Sequence, residues 1–421
     1  MEIADNKKMK VQIESEIGDL EGVIIHTPGN EVENMTPENA ERALYSDILN
    51  LSVAQKEYAQ LKEILSKVTK TFEIRELLKD ILKNHDVKNT LINRITESCK
   101  VPDIKNILTE QSPEHLTDML IEGVPVQVNT LTDYLQKNYF KLDPLHNFFF
   151  TRDASSAIND SVLINRMANN IRKRESVIME AIFDYHPAFI TRTVNPENSR
   201  KFNDQITMEG GDILVARKDI LLIGTGSRTS SQGIDHIARK IESREYPRHI
   251  IVQELPEKPE SFIHLDMVFT LTDHDKCMVY EPLIMKTTRF ATIHIIVENG
   301  KITSIKEKAN IPAVLKELGM PVKPIFCGGK EIQNQEREQW HSGANFFAFA
   351  PGKIIGYERN NHTIEELNKN GFEVIRAKEI INNKVNINDY KKIVITIHGS
   401  ELARGGGGAR CMTMPIRRKQ L

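Results

Sequence analysis

Cysteine is scarce in this chain. The four residues Cys99, Cys277, Cys327 and Cys411 stand far apart in 421 positions, so neither a disulfide framework nor the paired spacing of a structural zinc site can be built from them. That scarcity fits a reducing compartment. Long apolar runs are missing as well: no stretch approaches the length that spans a bilayer, and the opening Met-Glu-Ile-Ala-Asp-Asn-Lys-Lys-Met-Lys lacks the apolar core of a signal peptide. A cytoplasmic protein without a membrane partner is therefore expected. Nor is there an excess of basic charge, with 56 Lys and Arg against 58 Asp and Glu and a formal net charge of −2, which argues against a nucleic-acid partner. A small-molecule substrate is the better expectation.

The length exceeds one ordinary core, so two domains or one large repeated architecture is expected. Val23 to His26 is a short buried-strand pattern closed by Pro28-Gly29, and Thr36-Pro37 offers a helix cap with proline in the first turn. From about Val53 to Lys137 the apolar residues Leu61, Ile64, Leu65, Leu77, Leu78, Ile81, Leu82, Leu91, Ile92 and Ile95 fall at helical spacing. The block is expected to be all helix, a small bundle inserted into another domain.

Beyond Pro144 a unit of strand, tight turn, strand and often helix recurs in pattern. Its copies run through Asp153–Ile158 and Val162–Asn165, through Asp212–Ala216 and Ile220–Ile223, through Met267–Thr272 and Cys277–Tyr280, and through Asn345–Phe349 and Ile354–Tyr357. The last strand expected, Cys411 to Ile416, has no partner after it, and Val23 to His26 has none before it. Paired together they supply a fifth unit and remove open sheet edges. The expected fold is thus α/β, a closed five-module αβ propeller. Residues 1–70 and 138–421 would form the propeller, and 71–137 the inserted helical domain.

Four glycines, Gly405 to Gly408, precede Cys411. Such a run packs nothing and suits close approach to a ligand; no Lys-Ser or Lys-Thr follows it, which sets a phosphate loop aside. The other ionisable residues that stand out, Asp153, Glu209, His264 and Asp266, share one place with Cys411, just ahead of or at the start of the leading strand of each unit. Singly they read as strand caps, a turn and a core histidine. Placed in a ring, they converge on one cavity.

Two aspartates match the fork of a guanidinium. A thiolate beneath it could add to the central carbon, while a histidine steadied by a glutamate moves protons. That assembly describes hydrolysis at a guanidinium carbon. A zinc site is the competing assembly, weakened by the single cysteine and the lack of a second histidine at ligand spacing.

These residues lie in Phe149-Phe-Thr-Arg-Asp153, Met208-Glu-Gly-Gly-Asp212, His264-Leu-Asp266, Glu336-Arg-Glu-Gln-Trp340 with Gly343-Ala-Asn345, and Arg-Gly-Gly-Gly-Gly-Ala-Arg-Cys411-Met-Thr-Met-Pro. With the opening Ser15-Glu-Ile-Gly18 and Val23-Ile-Ile-His-Thr-Pro-Gly29, nearly the whole sequence resembles the arginine deiminase family, of pentein-type propeller fold. The resemblance implies conversion of L-arginine and water to L-citrulline and ammonia without metal or cofactor, through a covalent thiouronium. It makes Cys411 the nucleophile, His264 the general acid and base, Glu209 its neighbour, and Asp153 and Asp266 the guanidinium clamps. Arg172 and Arg228 match residues that hold the substrate's carboxylate, and Asn147 and Phe150 match pocket positions. A homo-oligomer is expected.

Two departures stand out. Gly406 replaces an arginine of the family's glycine-rich loop, and Ala-Ser-Ser-Ala after Asp153 replaces a bulkier stretch. Another guanidine substrate, such as agmatine or a methylated arginine, is the alternative within enzymes. A catalytically weak arginine-binding regulator is the alternative outside them.

Overall fold

The computed structural model of the chain describes residues 8–37, 45, 47–136, 139–200, 202–240, 248–299 and 301–421. The fold is mixed α/β, with five sheets of three to five strands and two two-stranded pairs among the described residues.

The five larger sheets share one plan, in which an antiparallel pair is followed, through a helical crossover, by a parallel neighbour. In the first, Leu20–Ile25 lies between Met414–Arg418 (antiparallel) and Lys70–Glu73 (parallel), with helix Leu51–Val68 as the crossover. The second joins Ser155–Ile158, Ser161–Ile164 and Arg192–Val194 through helix Lys173–Tyr185. The third joins Ile213–Arg217, Ile220–Thr225 and Arg248–Glu254 through Ser231–Lys240. In the fourth, Phe269–Asp273, Lys276–Val279 and Lys323–Phe326 are joined through Ile311–Glu317. The fifth pairs Phe347–Ala350 with Lys353–Tyr357, and the latter runs parallel to Ile393–Ile397.

Local chemistry explains the crossovers. The Asn50 side chain accepts from Val53 N at the start of Leu51–Val68, whose Tyr58, Leu61, Ile64 and Leu65 form its buried face. Asn310 accepts from Ala313 N ahead of a helix with proline in its first turn.

Several expectations are corrected. The block from Val53 to Lys137 is not all helix: Lys70–Glu73 is a strand of the first sheet, and Val124–Pro125 pairs with Phe140–Leu142. The strand Lys70–Glu73 therefore crosses the expected boundary between residues 70 and 71, while residues 137 and 138 at the other boundary lie outside the described ones. So does most of the helix expected after Thr36-Pro37, at 38–44. The last strand begins at Met414, not Cys411, because Met412 N and Thr413 N turn back to Gly408 O and Arg410 O. The hairpin Thr292–Glu298 with Lys301–Lys308, which extends the third sheet, and the central strand Ile393–Ile397 were not anticipated. The pairing of the first strand with the last is found, with Ile24 opposite Met414 and Leu20 opposite Arg418.

The helices after Glu73 do not bury a core of their own. Leu77, Leu78, Ile81, Leu91, Ile92 and Ile95 belong to one buried cluster with Ile178 and Ile182 of helix Lys173–Tyr185 and Val162 of the second sheet.

Candidate active site

Each leading strand of the five sheets is preceded by a short loop or turn, and these segments are hydrogen-bonded in a circuit. Arg152 N donates to Cys411 O at 3.1 Å and Gly210 N to Asp153 O at 3.1 Å. Leu265 N donates to Asp212 Oδ1 at 2.9 Å, Asn345 Nδ2 to Asp266 O at 3.1 Å, and Arg410 N to Asn345 Oδ1 at 2.9 Å. Asp153, Glu209, His264, Asp266 and Cys411 therefore sit on one connected floor, none more than 3% exposed.

Glu209 is extended ahead of the tight turn Gly210–Asp212, and His264 is extended ahead of Leu265–Met267. Their side chains meet, with His264 Nε2 2.9 Å from Glu209 Oε2, while His264 Nδ1 is 3.8 Å from Asp153 Oδ1. Burial alone would push the imidazolium's pKa down, but Asp153, the Glu209 hydrogen bond and Asp212 outweigh it and raise the value to about 9. The same pairing works the other way on Glu209. Burial raises its pKa, while the bond from His264 and the charges of Arg228 and Arg172 hold the carboxyl below its ordinary range.

Cys411 Sγ lies 3.8 and 3.9 Å from the Asp266 oxygens and 3.2 Å from Asn345 Nδ2. Burial, then the charges of Asp266 and Asp153, push the thiol's pKa well above its usual value. A cation seated between those aspartates removes the second cause, so a guanidinium would favour the thiolate that attacks it. Asp153 and Asp266 each have one oxygen already engaged: Arg172 Nη1 donates to Asp153 Oδ2 at 2.8 Å, and Arg410 Nη1 to Asp266 Oδ2 at 2.8 Å. Asp153 Oδ1 is buried with no hydrogen-bond partner, an acceptor that costs free energy until a donor arrives.

Asp153, Glu209 and His264 also present ligand atoms within 4.8 Å of one another. Arg172 and Arg228 already lie against two of these carboxylates, at 2.8 Å from Asp153 and 3.7 Å from Glu209, and a divalent ion would meet their charge.

The remaining expected residues are spread around this floor. Arg228 lines a cavity of about 270 Å³ together with Met267, Trp340, Ala403, Gly405 and Gly406. Arg172 is 4% exposed and turned to Asp153 and Glu175, with Asn147 O 3.5 Å from its Nη2. Phe150 is buried under Gly405 and Gly407, where a Cβ on Gly407 would come within 2.4 Å of its ring. Gly406 has φ of 81°, and a Cβ there would meet nothing within 4 Å. Asn345 and Arg410 touch Cys411 and Asp266, yet no role was expected for them. Their position inside the matching motifs was the only available signal.

The sequence pattern described as arginine deiminase matches residues 41–418. An arginine deiminase of Bacillus cytotoxicus is 32% identical over 98% of this chain and 100% of its own length, and one of Mycoplasma capricolum is 32% identical over 98% of each. Among solved structures, the amidinotransferase SxtG from Microseira wollei superposes with a TM-score of 0.56 at 15% identity over 98% of each chain. The N-terminal domain of ArgZ, a cyanobacterial arginine dihydrolase, superposes with a TM-score of 0.52 at 14% identity over 95% of this chain and 98% of its own. These two likenesses concern the fold; the sequence match and the relatives at 32% identity establish that the chain belongs to the arginine deiminase family.

Proposed function

We propose that the protein hydrolyses L-arginine to L-citrulline and ammonia through a covalent adduct on Cys411. The observation that carries this reading is the thiol lying against Asp266 on the same buried floor as the His264–Glu209 pair, 2.9 Å apart. Asp153 and Asp266 grip the guanidinium nitrogens, and the thiol loses its proton to solvent as the cation enters. Sγ adds to the guanidinium carbon, His264 protonates the departing nitrogen, and the C–N bond breaks to release ammonia. The now neutral imidazole takes a proton from water and the hydroxide adds to the thiouronium carbon; the C–S bond then breaks as the hydroxyl proton passes to the departing sulfur, which restores the thiol and gives the ureido group of citrulline. Glu209 keeps the imidazole oriented and favours its charged form.

Arg228, on the cavity wall, meets the substrate's carboxylate first, and Arg172, the other arginine matched to that task, adds its charge from beside Asp153 while keeping its bonds to Asp153 and Glu175. Asn147 and Phe150 shape the approach. The circuit of hydrogen bonds among the five segments supports a closed five-module propeller. Its catalytic unit comprises residues 1–73 and 138–421, with the helical insertion starting after Glu73, where the first sheet ends. A metal-free and cofactor-free homo-oligomer in the cytoplasm completes the proposal. Among the described residues no helix is long and apolar enough to cross a membrane.

Citrulline formation from arginine, assayed beside agmatine and dimethylarginine, tests the reading. Turnover of arginine alone is expected; its absence, or preference for agmatine, would overturn it. Cys411→Ser is expected to lose at least about a thousandfold in kcat with an unchanged melting temperature, since a hydroxyl without a strong base is a poor nucleophile. Residual turnover near the parent level would exclude the covalent route.

A further inference from the structure

The motif Ser15-Glu-Ile-Gly18 has no part in the chemistry above, yet Glu16 is only 7% exposed and lies beneath the site. Its Oε1 accepts from Val215 N at 3.1 Å and from Arg410 Nη2 at 3.2 Å, and its Oε2 accepts from Arg410 Nε at 3.0 Å. Arg410, 1% exposed, also donates from Nη2 to Ile213 O at 2.9 Å, and its Nη1 reaches Asp266 Oδ2 at 2.8 Å. One guanidinium thus bridges two buried carboxylates, held by Glu16 on one side and engaging a clamp on the other.

The terminal torsion of an aspartate is broad, so the bond to Oδ2 determines where Oδ1 lies. Here Oδ1 is 3.9 Å from Cys411 Sγ. The other clamp repeats the construction: Arg172 is held by Glu175 through Nε at 3.1 Å and Nη2 at 2.8 Å, and it donates to Asp153 Oδ2 at 2.8 Å. Glu16–Arg410–Asp266 and Glu175–Arg172–Asp153 are two carboxylate–arginine–carboxylate relays, each ending on one clamp. Stability alone gives little reason for them, because a buried ion pair is often matched by apolar packing.

We infer that Glu16, acting through Arg410, is a positioning residue of the arginine site, fixing Asp266 so that one oxygen is spent on Arg410 and the other is presented to the substrate guanidinium. The inference rests on the arginine reading proposed above. Without the negative charge of Glu16, Arg410 is free to close on both oxygens of Asp266 and withdraw the one the substrate needs.

The test measures arginine affinity by calorimetry in a Cys411→Ala background, where no turnover interferes. Glu16→Gln is expected to weaken binding by about tenfold or more, the scale of one charge-assisted hydrogen bond. Asp266→Asn should weaken it as well, and the combination should bind no worse than Asp266→Asn alone, because both changes act through one carboxylate. If Glu16→Gln does not fold, Arg410→Lys keeps the buried charge but cannot span both carboxylates, and the same loss and the same non-additivity are expected of it. Unchanged affinity, or losses that add to that of Asp266→Asn, would overturn the inference. Failure of the Cys411→Ala parent itself to bind arginine would instead overturn the substrate reading, and this inference with it.

Discussion

His264 is the residue whose charge state decides most at this site. Its imidazolium is held by Asp153, Glu209 and Asp212 against the cost of burial, with a pKa raised from 6.5 to about 9. By linkage, the stabilisation this gives is complete below about pH 6.5 and is lost as pH rises through about 9. Thermal stability should therefore fall over that interval. In the proposed role of acid to the departing nitrogen, His264 should also set the alkaline limb of kcat, which reports the complex in which the bound guanidinium has already taken the thiol to thiolate. Glu209→Gln removes one of the partners that raise it, so that limb should move to lower pH by about one to two units, the equivalent of one charged hydrogen bond. A limb that stays in place would show that another group titrates there. Cys411, Glu209, Asp153, His264 and Asp266 could be singled out from sequence because their types carry the chemistry and recur at one position of the repeated unit. Arg410 and Asn345 could not be, because an arginine or asparagine acquires such a role only from the distant residue it meets, 144 positions away for Arg410 and Asp266; Arg172 was named only through the family resemblance.

At the scale of elements, the turn Gly210–Asp212 shows how a short segment sets the geometry of another. A Cβ on Gly211 would come within 2.4 Å of His264 Nδ1 and 2.6 Å of Cγ, so glycine there makes room for the imidazole ring. Gly211→Ala should displace the ring by about an ångström and lower kcat by about a hundredfold or more, with the far-ultraviolet circular dichroism unchanged. Full activity would mean that the ring has slack the packing does not suggest. The recurring strands were legible as elements because each hairpin carries its own turn signal, such as Asn159-Asp160 or Lys218-Asp219. Lys70–Glu73 was not: its Lys-Thr-Phe-Glu is too short to show a period and follows a helix directly. Ile393–Ile397 is buried at every residue and becomes a central strand by tertiary pairing with two parallel neighbours. The Lys301–Lys308 strand is mostly exposed, and its charges obscured its partnership with Thr292–Glu298.

For the whole molecule, the pairing of Met414–Arg418 with Leu20–Ile25 matters most, because it joins segments from opposite ends of the sequence beside Cys411. Two neighbouring arginines on that strand separate what holds this junction from what merely decorates it. Arg418 is 4% exposed; its Nη1 donates to Gly18 O and its Nη2 to Ala348 O, each at 2.7 Å, and its guanidinium lies 5.3 Å from the centre of the Phe347 ring. Burial, followed by the nearby charge of Arg410, lowers its pKa to about 10 despite Glu16, which leaves it charged at neutral pH. It thereby ties the last strand both to the opening segment and to the fifth sheet. Arg417 points outward to Glu21, with the two side chains 34% and 33% exposed. Arg418→Ala would take the guanidinium donors from two buried carbonyls, at about 1–3 kcal/mol each, whereas a pair at the surface such as Arg417–Glu21 contributes about 0–1 kcal/mol. In urea, Arg418→Ala should therefore unfold with a stability loss of about 2–5 kcal/mol, and Arg417→Ala should be nearly silent. The loss should also appear in activity at denaturant concentrations below the main transition, because strand Met414–Arg418 anchors the turn that carries Cys411. Equal losses from the two substitutions, or none from Arg418→Ala, would mean that the backbone ladder alone secures the junction.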